Sequence, residues 1–137
     1  LAEAKRTATI TMASDGKLLV CDKNDFQELV AHRSIEEVGP AQVTKLLQES
    51  EYELVDVRYS EEHNDCYIEG STLISLPEIR NSLGQFKKNK SYILYCSNGQ
   101  RSAIGTLILT RAGVNAVSLQ GGIDEWPYET TCINHKT

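Results

Sequence analysis

The stretch Tyr92-Ile93-Leu94-Tyr95-Cys96-Ser97-Asn98-Gly99-Gln100-Arg101-Ser102 decides the fold. Its first four residues are apolar without alternation, the pattern of a strand covered on both faces in a parallel sheet. Helical spacing begins directly afterwards. Ala103, Ile104, Leu107, Ile108 and Ala112 fall on one side of a helix predicted over 100–112, which Gly113 closes. Strand, tight loop and helix in immediate succession mark a parallel α/β unit, and sites in such sheets form outside the carboxyl ends of the strands.

The loop carries chemistry. A chain that turns into a helix start aims backbone N–H groups at one place, and the helix dipole adds positive potential there. Gly99 allows tight curvature. Arg101 brings a fixed positive charge in the first helical turn, and Ser102 a hydroxyl. Each feature favours an ionised sulfur at Cys96, the reactive form of a cysteine. Ser97, Asn98 and Gln100 complete the candidate binding loop. The plainer reading makes Cys96 a buried structural thiol and Arg101 half of a surface ion pair.

Working outward, residues 34–137 alternate strands and helices. Strands are expected over 34–38, 53–57, 71–76 and 116–119, with helices from Gly39-Pro40 to about Glu49, over 77–86, and briefly over 122–126. This alternation with right-handed crossovers gives a parallel sheet between helices. Residues 1–33 read differently: a strand over 7–12, a turn at Ser14-Asp15-Gly16, a strand over 18–20 and a helix from Asp22 to Val30. Such a hairpin and helix is marginal alone.

The whole chain has 137 residues, 40% of them hydrophobic, enough for one ordinary domain or a small domain with a remnant of another. It begins at Leu1, which reads as an excised piece. The formal charge is −5, and all of it lies in residues 34–137. A nucleic-acid partner is not expected, because phosphate binding needs a basic surface. The basic run Lys87-Lys88-Asn89-Lys90 reads as a solvated loop. Neither a membrane span nor a secretory signal is evident. Four cysteines, Cys21, Cys66, Cys96 and Cys132, lack metal-ligand spacing. An even count permits two disulfides. Without a secretory signal the expectation is one nucleophile and three bystanders, with a resolving role for Cys66 as the sharper alternative.

Four motifs in order give residues 34–128 a family resemblance. Cys96-x-x-Gly99-x-Arg101-Ser102, Val55-Asp56-Val57-Arg58, Glu62 to Pro77 (EHNDCYIEGSTLISLP) and Leu119 to Pro127 (LQGGIDEWP) resemble the corresponding motifs of the rhodanese domain, the sulfurtransferase fold. The resemblance implies an α/β fold with a parallel sheet of about five strands and helices on both faces. It implies a Cys96 nucleophile that carries sulfane sulfur as a persulfide. The chain departs from the pattern at Cys66-Tyr67-Ile68-Glu69-Gly70-Ser71, where the usual histidine and proline are lost. Asp56 and Arg58 are read as an orienting ion pair, with Arg58 as a substrate-side charge the alternative. Trp126 is read as a core anchor. His32, His63 and His135 receive no role.

Residues 5–30 (KRTATITMASDGKLLVCDKNDFQELV) resemble the end of a cyclic-nucleotide-binding domain. Arg6-Thr7-Ala8-Thr9 corresponds to the close of its phosphate cassette, and Asp22 to Phe26 to the helix that follows. The rest of that barrel is absent, so this piece is not expected to bind cyclic nucleotide. The resulting division is 1–33 and 34–137.

The expected activity is sulfur transfer from a donor such as thiosulfate to cyanide or a thiol, without cofactor or metal, in the cytoplasm. A non-catalytic persulfide or redox sensor coupled to a nucleotide sensor is the alternative. A phosphatase or arsenate reductase fits less well: phosphatases of this fold place five residues between cysteine and arginine, and here only Ser97 to Gln100 intervene.

Overall fold

The computed structural model describes Thr9, residues 11–16 and residues 35–133. The chain divides into two units, Leu1–Ser34 and Ile35–Thr137. In the first unit the described residues form no strand, and a bend falls at Ala13 and Ser14. The remainder of the strand expected over 7–12, the strand over 18–20, the helix over 22–30 and the Arg6 assignment lie outside the described residues.

The second unit holds seven strands and three α-helices among its described residues: β1 (Glu37–Val38), α1 (Pro40–Leu46), β2 (Tyr52–Asp56), α2 (Ser60–Asp65), β3 (Cys66–Tyr67), β4 (Thr72–Leu73), β5 (Ser91–Tyr95), α3 (Gln100–Arg111), β6 (Asn115–Leu119) and β7 (Thr131–Cys132). Five strands form an all-parallel sheet in the order β1-β6-β5-β2-β4. β3 and β7 pair antiparallel as a separate ribbon. No helix among the described residues is long and apolar enough to cross a membrane.

The central strand β5 explains why the sheet is buried on both sides. Tyr92, Leu94 and Cys96 point into one apolar cluster, with Leu109 of α3, Val55 and Val57. Ile93 and Tyr95 point into the other, with Val43 of α1 and Leu54. Successive side chains of a strand take opposite faces, so an unbroken apolar run satisfies both layers. Ile93, Leu94 and Tyr95 are completely buried.

Several expectations need correction. The helix expected over 77–86 is two 3-10 turns, Leu76–Glu78 and Leu83–Gln85. Asn81, Ser82 and Gly84 favour turns over helix. The segment is held instead by the buried side chains of Ile79 and Phe86. The strand expected over 71–76 is only Thr72–Leu73, and the first helix stops at Leu46. In α3 the buried face is Ser102, Gly105, Thr106 and Leu109, while Ile104 is 43% exposed. A Cβ on Gly105 would come within 2.7 Å of Leu94 and 2.9 Å of Ile79. At Gly105 the helix therefore lies too close to the sheet for a side chain, while one turn further on Leu109 reaches the core and Ile108 packs against it. Trp126 packs against the second cluster and meets Tyr128 edge-on.

Candidate functional site

Three strands deliver the site. β5 lies between β2 and β6, and in the parallel register Asp56 stands opposite Tyr95, and Leu94 opposite Ser118. The chain segments that follow Asp56, Tyr95 and Leu119 therefore leave the sheet together at its carboxyl edge. They are the Arg58–Glu62 segment, the Cys96–Ser102 loop and the Gly121-Gly122 turn.

Cys96 is completely buried, and its Sγ accepts the Gly99 N–H at 3.1 Å. Gly99 occupies the left-handed region at φ +91°, which costs glycine little. The loop's carbonyls are turned the other way. The Cys96 carbonyl accepts the Ile123 N–H at 2.8 Å, and that of Ser97 accepts the Asp124 N–H at 3.0 Å. A Cβ on Gly122 would collide with both carbonyl oxygens. The glycine pair is thus the surface on which the cysteine loop rests, and this contact fixes which side of the loop faces the sulfur.

Ser102 braces the loop. Its Oγ donates to the Gly99 carbonyl at 3.0 Å, lies 2.8 Å from the Ser118 hydroxyl, and sits 3.7 Å from Cys96 Sγ. With its proton committed to Gly99, it is a support more than the free donor expected from sequence. Asn98 Oδ1 accepts the Gln100 N–H at 3.1 Å, and both residues are exposed. One loop amide, that of Gly99, reaches Sγ where several were expected.

Arg101 does not stand free. Its two terminal nitrogens donate to the two carboxylate oxygens of Glu62, each at 2.7 Å. One of them also donates to Ser97 Oγ at 2.8 Å, and that hydroxyl donates to Glu62 at 3.0 Å. The guanidinium lies 5.9 Å from the centre of the Tyr59 ring. Hydrogen bonds from Arg101 are the main reason the Glu62 carboxyl is drawn down to about 2. The Arg101 cation is strengthened in turn, first by Glu62 and, more weakly, by the charge of Cys96. The ion pair weighed as the plainer reading of Arg101 is therefore present, two-pronged and with Glu62 as its partner.

Beside this lies a buried polar network centred on Asp56. Its carboxylate accepts both the backbone N–H and Nε of Arg58 at 3.0 Å, and Nη2 of Arg58 at 2.7 Å. The Tyr95 hydroxyl donates to it at 2.9 Å, and His63 Nδ1 lies 2.9 Å away. Burial pushes the Asp56 carboxyl up, but the hydrogen bonds from Arg58 and His63 outweigh it and the group titrates below the usual range. Burial likewise pushes the Tyr95 hydroxyl up to about 12, so it remains a donor. Arg58 spans the network to the Cys66 carbonyl at 2.7 Å. Asp56 and Arg58 are thus bound to each other and to neighbouring backbone, as an orienting pair would be. His63, to which sequence assigned no role, belongs to the network and stacks on Tyr67. Among the described residues no group of His, Cys, Asp and Glu could hold a metal ion.

The cysteine expectation needs correction. Cys66 and Cys132 stand opposite each other in the β3–β7 ribbon and form a disulfide. Directly opposed residues of an antiparallel pair bring their Cβ atoms close enough to bridge. Cys66 is neither a bystander nor a free resolving thiol. Of the cysteines described, Cys96 alone is free. Their spacing in the chain carries no sign of the pairing, because it depends on the return of residues 131–132 to the edge of β3.

Glu62 and His63 were the residues that sequence reasoning missed. A glutamate at the third helical position can reach back to the preceding N–H, and Glu62 does accept the Tyr59 N–H at 3.2 Å. That local signal reveals a helix start, but not an ion pair with a residue 39 positions away.

The site is that of an α/β domain carrying a cysteine in the loop between a central parallel strand and the helix that follows it. The model of the rhodanese-like domain matches residues 39–129, and the chain belongs to this family. It is 31% identical over 99 residues to the tRNA sulfurtransferase of Tolumonas auensis, covering 69% of this chain but only 20% of that protein. The whole-protein activity of that relative therefore does not transfer directly. Among solved structures, the rhodanese-like domain protein from Staphylococcus aureus superposes with a TM-score of 0.66 at 32% identity, covering 72% of this chain and 99% of that one. The rhodanese-related protein from Thermoplasma volcanium gives 0.65 at 27%, covering 70% and 97%.

Proposed function

We propose that the rhodanese-like unit is a sulfurtransferase in which Cys96 takes sulfane sulfur from a donor, holds it as a persulfide and passes it to a thiol or cyanide. The observation that carries this reading is the Cys96 sulfur, which accepts the Gly99 amide at the start of α3 with Arg101 alongside. In the loading step the Cys96 thiolate attacks the outer sulfur of the donor. The donor's sulfur–sulfur bond breaks, and its electron pair leaves with the inner sulfur. In the unloading step an acceptor thiolate or cyanide attacks the outer sulfur and releases the Cys96 thiolate. This is covalent catalysis through two displacements. The Gly99 amide supports the negative sulfur in each. No cofactor takes part.

The sulfurtransferase names of relatives support sulfur transfer in general. The loop of four residues between Cys96 and Arg101 favours a sulfur atom over a phosphoryl group. Mass spectrometry tests the proposal: thiosulfate or a thiol persulfide should add about 32 Da, one sulfur atom, to the Cys96 peptide. Absence of the adduct with every sulfane donor would sink it.

The resemblance of residues 5–30 to the end of a cyclic-nucleotide-binding domain supports a parent protein that couples a nucleotide sensor to this unit. Stoichiometric persulfidation without turnover would favour that regulatory role over catalysis. A cytoplasmic location is part of this reading.

A further inference from the structure

We infer that Glu62 is a specificity-determining residue, which turns the site away from oxyanion donors such as thiosulfate and toward persulfides of thiols. The inference deepens the sulfurtransferase reading and rests on it.

Within the loop from Cys96 to Ser102, Arg101 is the only basic residue. A donor that carries a sulfonate needs such a cation with its N–H fork free. Here both terminal nitrogens are held by one carboxylate at 2.7 Å in the bidentate geometry that suits a guanidinium best. Ser97, the other loop side chain at this point, donates to the same carboxylate. Glu62 is itself anchored by the Tyr59 N–H at the start of α2, so it is positioned before any ligand arrives. A resident carboxylate thus occupies the place of the donor's oxyanion, and it repels what it does not exclude.

The two donor classes differ in what they ask of this cluster. Thiosulfate brings two negative charges, and its three sulfonate oxygens need N–H donors. Loading from it gives the Cys96 persulfide anion and sulfite, with total charge conserved. A thiol persulfide, R–S–SH, has no oxygens. The Cys96 thiolate bonds its outer sulfur, the S–S bond breaks, and R–S⁻ leaves, while Cys96 keeps S–SH. The sulfur being transferred is met by Cys96 and the Gly99 amide, and Arg101 need not release Glu62.

The test measures the rate constant for loading Cys96, by quenched-flow mass spectrometry, with sodium thiosulfate and with glutathione persulfide. The full chain is used as wild type, Glu62→Gln and Glu62→Ala. Wild type should load faster from glutathione persulfide. Removing the carboxylate charge should raise the thiosulfate-to-persulfide ratio roughly tenfold, the scale of a nearby like charge that solvent partly screens. Sulfate should inhibit loading of the variants more strongly than of wild type, a gain that simple loss of structure cannot produce. The inference is overturned if wild type loads equally well from both donors, or if the ratio and the sulfate inhibition are unchanged in folded variants. If neither donor puts sulfur on Cys96, the sulfurtransferase reading itself fails, and this inference with it.

Discussion

Breaking the Cys66–Cys132 bond should cost the unit much of its stability while leaving the five-stranded sheet untouched. The bond joins residues 66 positions apart. Closing a loop of that size removes about 4 kcal/mol of conformational entropy from the unfolded chain. Little else holds the tail. β7 has two residues, which pair only with the two of β3, and the Ile133 N–H reaches the Asp65 carbonyl at 3.0 Å. Replacing exposed Cys132 by serine opens no cavity, so the cost is that of the lost cross-link. For a unit of roughly 100 residues, 4 kcal/mol corresponds to a fall in melting temperature on the order of 15 °C or more. Calorimetry of oxidised wild type, reduced wild type and Cys132→Ser measures it, with non-reducing peptide mapping to show the linked peptides. Reductant should lower the wild-type melt to that of the variant and leave the variant unmoved. If all three melt within about 2 °C of one another, the entropic account is wrong.

Other outcomes follow from the same contacts. Cys96→Ser should abolish sulfur loading while the fold survives, since serine fills the buried position with little change in volume and can still accept the Gly99 N–H; parallel loading and melting measurements check both halves. Gly122→Ala should destabilise by about 2 kcal/mol or more and slow loading, because φ +61° is strained for alanine and its Cβ meets the Cys96 and Ser97 carbonyls; a variant that melts like wild type would contradict this. Asp56→Asn should cost about 3–5 kcal/mol, measured by urea unfolding, because it leaves the buried Arg58 cation without its partner. Acid should unfold the unit in a characteristic window. Asp56 and Glu62 both titrate below their ordinary values of 3.8 and 4.5 when folded. Their stabilisation is therefore complete above about pH 5 and is lost as pH falls through the folded values, about 2 for Glu62. Glu62→Gln should flatten the stability profile between pH 4.5 and 2.

What could be read from the chain was what is local. The apolar run 92–95, the loop 96–102, the helix after it and the closing Gly113 lie in one continuous stretch, and each element answers to its own neighbours. The short helix read over 122–126 is a 3-10 turn at Ile123–Glu125. Two of the local readings failed in instructive ways. Residues 77–86 have helical spacing, yet turn-forming residues and two buried anchors prevail. The inner face of α3 read as Ala103, Ile104, Leu107, Ile108 and Ala112 is rotated in the structure to Ser102, Gly105, Thr106 and Leu109, with close approach at Gly105 to Leu94 and with Ile108 still packed on the core.

The sequence by itself determined the parallel α/β fold and the cysteine loop, because periodicity and turn chemistry act within a few residues. Only the tertiary structure decided what that loop faces. The Glu62 clamp on Arg101, the place of His63 and Tyr95 around Asp56, and the Cys66–Cys132 bond all join residues far apart in the chain. They meet because β2, β5 and β6 align in parallel at one edge and because β7 returns to β3. Such pairings are set when the sheet assembles, and no stretch of sequence read by itself contains them.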